Sequence, residues 1–147
     1  MKKENIIAVV PSYEMSCDEY LSKWTKLLNN KSLIKILKKT NTRIYFYSKS
    51  NLKFKSEMIS VKRKIHLEDI NLLVTDNLSL ELDYISMLKP VIYYRFNKTK
   101  EFNRKLSFGK VLGEEEDVIN KIIGYINLNY RIENYYQRKI NAYLATL

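Results

Sequence analysis

Three runs with continuous apolar stretches, "NIIAVV" (5–10), "LLVT" (72–75) and "VIYYRF" (91–96), constrain this chain more than any other feature. None of them alternates apolar with polar residues. A strand that is apolar on both faces has to be covered on both faces, which happens when helices cross over a parallel sheet. The segments between the runs supply such helices. Asp18 to Lys39 places Leu21, Trp24, Leu27, Leu28, Ile34 and Leu37 on one stripe, with Asp18 as N-cap and Asn29-Asn30 as a break between two helices. Ser79 to Leu88 reads as a shorter helix that stops before Lys89-Pro90. Glu114 to Leu128 carries Val118, Ile119, Ile122, Ile123 and Ile126, and a last helix is expected over about 130–146. Further strands are predicted at 43–48, 58–62 and 110–112, with a short turn or helix at 66–70.

This alternation predicts an α/β fold in one domain over residues 1–147. In sheets of this kind ligands bind beyond the carboxyl ends of the strands. The turn after "LLVT", with Thr75, Asp76, Asn77 and Ser79, falls at such an end. Asp76 and Ser79 are each able to cap the helix that follows, which is worth about 1 kcal/mol. The same strand–turn–helix arrangement presents unpaired amides to an anion. From the pattern alone, capping and ligand binding both stand.

Charge points to an anionic partner. Residues 1–66 hold 15 Lys/Arg against 5 Asp/Glu, which accounts for the whole net charge of +10. Nucleotide phosphates, a phosphate-rich polymer and an anionic membrane surface all fit; a solvated lysine surface is the plain alternative. No nucleic-acid motif is recognisable, so nucleic acid ranks below these. A single cysteine, Cys17, excludes an internal disulfide and a cysteine-cluster metal site, and no metal or cofactor is implied. With no apolar run near the roughly 18 residues of a membrane span, the expected location is cytoplasmic, at most peripheral to the inner face of the membrane.

The stretch "LLVTDNLSLELDYISMLKPVIYYRFN" (72–97) resembles the C-terminal domain of the CDP-glycerol glycerophosphotransferase family, the teichoic acid polymerases and primases. That family reads, in outline, "LLITDYSSVFFDFAYLKKPVIYYQFD". Looser matches run in order through "VVPSYE", "YLSKWTKLLNNKSLIKILKK", "RIYFYSKSNL" and "SFGKVLGEEEDVINKII". The resemblance implies a Rossmann-like three-layer α/β/α domain with a mostly parallel sheet, like the C-terminal half of a GT-B glycosyltransferase. That half binds the nucleotide donor, so the N-terminal, acceptor-binding half is expected to be absent here. The implied chemistry is attack of a polymer hydroxyl on the β-phosphate of CDP-glycerol or a related cytidine nucleotide, with CMP leaving.

Carried over residue by residue, Thr75, Asp76, Asn77, Ser79 and Lys49 become the donor-phosphate residues. Asp76 orients the turn and Asp83 braces the inner face of the helix. Glu115 and Glu116 become candidate ribose contacts, although acidic residues in a helix's first turn also complement its dipole. Two departures favour a non-catalytic binding or scaffolding subunit as the alternative. Lys49 stands where the family has a histidine; it keeps the charge but shuttles no proton at neutral pH without a large pKa shift. Leu78 replaces a serine of the family's "DYSS". The lone histidine, His66, reads as a surface or capping residue. Finally, Ile132, Tyr135, Tyr136, Ile140, Tyr143, Leu144 and Leu147 form an apolar stripe at spacings of three and four. That stripe either packs on the domain's own core or meets an acceptor-domain protein or a second copy of the chain.

Overall fold

The computed structural model describes residues 4–11, 18–49, 52–76, 81–96 and 107–147. In chain order the elements are β1 (Asn5–Val10), α1 (Asp18–Leu28), α2 (Lys31–Lys39), β2 (Thr42–Tyr47) and β3 (Ile59–Lys62). A 3₁₀ turn (Leu67–Asp69) leads to β4 (Leu72–Thr75), α3 (Glu81–Ile85), β5 (Val91–Tyr94), β6 (Lys110–Leu112), α4 (Glu115–Asn127) and α5 (Asn134–Leu144). The six strands form one sheet in the order β3-β2-β1-β4-β5-β6, and each neighbouring pair is parallel. This is the doubly wound Rossmann-like order, whose direction of winding reverses between β1 and β4.

Side-chain burial explains the continuous apolar runs. On one face Ile7, Val9, Ile44, Phe46, Leu72, Val74, Ile92 and Tyr94 pack against Trp24, Leu27 and Leu28 of α1, Leu33 and Leu37 of α2, and Val118 and Ile122 of α4. Trp24 is fully buried and meets the edges of Tyr94 and Phe96 at 5.4 and 5.7 Å between ring centroids. On the other face Ala8, Val10, Leu73, Val91 and Tyr93 pack against Ile70 and Tyr84. Tyr84 of α3 also donates its hydroxyl to the Pro90 carbonyl at 2.9 Å, which ties α3 to the start of β5. Thus β1, β4 and β5 are covered twice, as their sequence demands.

β2 differs. Its burial alternates, with Ile44 and Phe46 inside and Tyr45 and Tyr47 half-buried on the second face. Among the described residues that face is lined beside β2 by β1, β3 and the segment 63–70.

Local signals account for most boundaries. The break at Asn29-Asn30 is present, and Asn30 caps α2 by accepting from the Ser32 and Leu33 amides at 2.9 and 3.2 Å. The final helix begins later than the apolar stripe suggests. Asn129 and Tyr130 both take left-handed backbone (φ 55° and 60°), and the Tyr130 amide returns to the Tyr125 carbonyl at 2.7 Å. That closure satisfies the end of α4 and separates it from α5. α3 is also shorter than the expected 79–88: it ends at Ile85, and Leu88 turns the chain with φ 56° before Pro90. α5 packs mainly on its own domain, with Ile140 fully buried against Ile85 and Phe108, and Ile132, Tyr143 and Leu144 beside them. Lys139 donates to the Ser107 carbonyl at 2.6 Å and fastens the helix there.

Gly109 illustrates how tightly β6 is seated. A Cβ at that position would lie 1.9 Å from the Val91 carbonyl oxygen, a backbone atom that cannot yield. Gly109→Ala is expected to lower unfolding free energy in urea by about 3 kcal/mol, the upper part of the usual range for overpacking. A loss within 0.5 kcal/mol would contradict the close approach.

Glu133 carries an acid-sensitive tie between α4 and α5. Burial alone would raise its carboxyl, but hydrogen bonds from the Tyr125 hydroxyl and from Lys121 at 3.0 Å outweigh burial and hold it below its ordinary value of 4.5. A depressed folded pKa contributes stability that is present above the unfolded value and is lost as pH falls through the folded one. Wild type is therefore expected to lose stability relative to Glu133→Gln as pH drops from 4.5 downward, read by thermal melts across that range.

Candidate functional site

The reversal of winding opens a crevice at the carboxyl ends of β1 and β4. Thr75, the last residue of β4, is 4% exposed and donates its hydroxyl to the Val10 carbonyl at 2.7 Å. This bond spans the two strand ends and fixes the floor of the crevice. Asp76 follows and is 7% exposed. Its Oδ2 accepts the Tyr20 hydroxyl at 2.6 Å, and its carbonyl accepts from Arg95 Nη1 at 3.2 Å. The turn is thus held from α1 on one side and from the end of β5 on the other. Asn77, Leu78 and Ser79, together with Cys17, lie outside the described residues.

Cations gather on the same side of the sheet. Lys49, two residues past β2, lines a cleft of about 390 Å³ together with Val10, Pro11, Tyr47, Ser48, Arg63 and Ile65. Val10 therefore joins the Thr75 clasp to the Lys49 cleft. Arg63 and Arg95 each stand immediately after a strand, as Lys49 nearly does, so three cations follow carboxyl ends of the sheet. Tyr47 contributes a neutral phenol: burial, with smaller contributions from Tyr45 and Asp69, pushes its pKa up to about 12.

The acidic start of α4 has a structural task. Asn30, the cap of α2, donates from Nδ2 to Glu115 Oε2 at 3.1 Å. Glu115 also lies near Tyr94, whose phenol is pushed up to about 12 by burial first and by Glu115 and Glu114 next. Glu116 is exposed in the first turn of α4. His66 is exposed at the entrance to the 3₁₀ turn, 4.0 Å from Glu68, as expected of a surface residue. Asp83 is a correction: it does not brace the inner face of α3 but is exposed there. Tyr84 and Ile85, the next two residues, are the buried ones.

Sequence reasoning missed Tyr20, Arg63 and Arg95. Arg63 carried a usable signal, because it directly follows the predicted strand 58–62, whereas Arg95 falls inside the predicted run 91–96. Tyr20 carried none, since its partner Asp76 is 56 residues away.

No family model matches the chain. A curated relative does: the minor teichoic acid biosynthesis protein GgaB of Bacillus subtilis (strain 168) is 27% identical over 146 residues, spanning 86% of this chain. Over this stretch the chain is similar in sequence to a teichoic acid biosynthesis protein. Among solved structures, the wall teichoic acid polymerase TagF superposes with a TM-score of 0.70 at 17% identity, covering 97% of this chain. A TagF variant soaked with CDPG superposes at 0.66 and 17%, covering 95%. The UDP-GlcNAc 2-epimerase of Neisseria meningitidis bound to UDP-GlcNAc gives 0.58 at 14%, covering 96%. The fold is therefore that of a GT-B half, as the resemblance implied. The chain spans only 16% of GgaB, 39% and 35% of the two TagF chains, and 40% of the epimerase.

Tyr20→Phe removes the hydroxyl that reaches the buried Asp76 carboxylate. The expected cost is about 1–3 kcal/mol in urea unfolding, with an unchanged m-value. A neutral effect would mean that the contact does not hold the turn.

Proposed function

We propose that this chain is the donor-binding half of a CDP-glycerol glycerophosphotransferase-like enzyme that acts in the synthesis of teichoic acid or another cell-surface polysaccharide. The observation that carries this reading is the 27% identity to a teichoic acid biosynthesis protein over a domain whose crevice lies at the winding reversal. Thr75, Asp76, Asn77 and Ser79 would surround the donor phosphates, with the turn held in place by Tyr20 and Arg95. Lys49 and Arg95 would stabilise the charge that develops on the departing CMP. Glu115 and Glu116 remain the candidates for the ribose. The acceptor hydroxyl would come from a second half, supplied by another domain or another chain.

A second reading is favoured by one residue. Lys49 stands where the related enzymes carry histidine, so the domain would bind a cytidine nucleotide without turning it over. Binding and turnover therefore need separate measurements.

Calorimetric titration with CDP-glycerol, CMP and UDP-GlcNAc tests the site. The cytidine ligands are expected to bind more tightly than UDP-GlcNAc, and Ser79→Ala and Arg95→Gln are each expected to weaken binding by about tenfold, the equivalent of 1.4 kcal/mol. No heat at millimolar cytidine ligand would overturn the donor-site assignment. CMP release with a lipid-linked acceptor, abolished by Ser79→Ala, would decide for the enzyme over the binding subunit.

A further inference from the structure

The second face of the sheet holds a groove that the donor reading does not use. It has a volume of about 380 Å³, and its floor is Tyr45 and Tyr47 of β2 beside Ile6. Parallel pairing sets Tyr47 level with Lys62 of β3. Arg63, Lys64 and His66 continue around the groove, so its walls carry three permanent cations. Asp69 is the single carboxylate among the lining residues. Lys62, Arg63 and Lys64 are all exposed. Tyr47 and Arg63 also line the Lys49 cleft, so the two depressions meet at these residues. Together they run from the carboxyl end of β1 around onto the sheet face.

Three features identify the class of occupant. The cations outnumber the carboxylate three to one, so the ligand is anionic. They follow one another along the groove, which suits a chain of charges better than one compact anion. The Tyr45 face toward Lys62 is not open for stacking a base: the Lys62 ammonium sits over that ring, 4.9 Å from its centroid. The groove therefore presents ammonium, guanidinium and phenol donors.

We propose that the Tyr45–Tyr47 groove, with Lys62, Arg63 and Lys64 along it, binds a linear polyanion of closely spaced phosphates that lacks stacking bases. This site is distinct from the crevice at Thr75 and Asp76 and does not depend on nucleotide binding there. Neutralising successive phosphates makes the affinity strongly salt-dependent.

The test uses the full chain with inorganic polyphosphate as probe, and binding is followed by fluorescence anisotropy at several salt concentrations. Wild type is expected to bind with a steep salt slope. The triple variant Lys62→Ala/Arg63→Ala/Lys64→Ala is expected to bind at least tenfold more weakly, with a slope reduced by about two to three units. A matched variant on the exposed side of α2, Lys35→Ala/Lys38→Ala/Lys39→Ala, removes the same charge and is expected to change affinity by less than threefold. Arg63→Gln alone, a milder surface change, is expected to weaken binding several-fold, and thermal melts check that each variant is folded. Four results would each overturn the proposal. A loss in the α2 variant as large as in the triple variant would indicate a diffuse field. Orthophosphate at equal phosphate concentration could compete as well as the polymer. A single-stranded poly-U could bind more tightly than polyphosphate. Anionic phosphatidylglycerol vesicles could be lost in the triple variant while polyphosphate binding persists. Retained cytidine-nucleotide binding by the triple variant keeps this outcome separate from that of the donor site.

Discussion

β1 is hydrogen-bonded along both edges, to β2 on one side and β4 on the other, and the rest of the domain is arranged around that fact. A central parallel strand has no edge for water to satisfy and no face for water to touch. It must therefore be apolar where it is covered, as Ile6 to Val10 is, and both its neighbours must return by crossovers that pack on the sheet. Right-handed crossovers on opposite sides of β1 have to leave by opposite faces. α1 and α2 take one face and α3 the other, so β1 and β4 stay paired to their carboxyl ends while the connections that follow them lead to opposite faces. The site's position thus follows from hydrogen bonding in the middle of the sheet.

At those strand ends Thr75 and Asp76 are held by other parts of the fold. A buried carboxylate is costly unless its oxygens are met by donors. Asp76 is met by Tyr20, and its backbone is gripped by Arg95, while Thr75 bonds to the neighbouring strand. Three elements distant in sequence therefore set the shape of a few residues.

The legible parts of this chain were those governed by burial over short stretches. Continuous apolar runs gave β1, β4 and β5, and the Asn29-Asn30 break appeared because an asparagine side chain caps the amides directly after it. Harder to read were features decided across the fold. Asn129 and Tyr130 carry no glycine to announce left-handed backbone, so the start of α5 was placed too early. Asp83 was assigned to an inner face by analogy, whereas the short α3 turns Tyr84 and Ile85 inward. Of the candidate site, Thr75 and Asp76 were found from their place after a strand. Tyr20 could be recognised only once α1 was docked beside β4.

The sheet's two outermost strands have a bearing on how this domain meets other molecules. Among the described residues β3 and β6 end the sheet; they are four and three residues long, and each carries a lysine, Lys62 and Lys110, that is exposed. A short charged strand is a poor template for another chain to extend by backbone pairing. The ladder is thus closed to accretion at both margins. In the readings proposed above, recognition would fall instead to side chains: Thr75, Asp76 and the cations at the carboxyl ends of the strands, and the half-covered tyrosines of β2. A domain built in this way can stand beside copies of itself on a crowded surface without their sheets fusing.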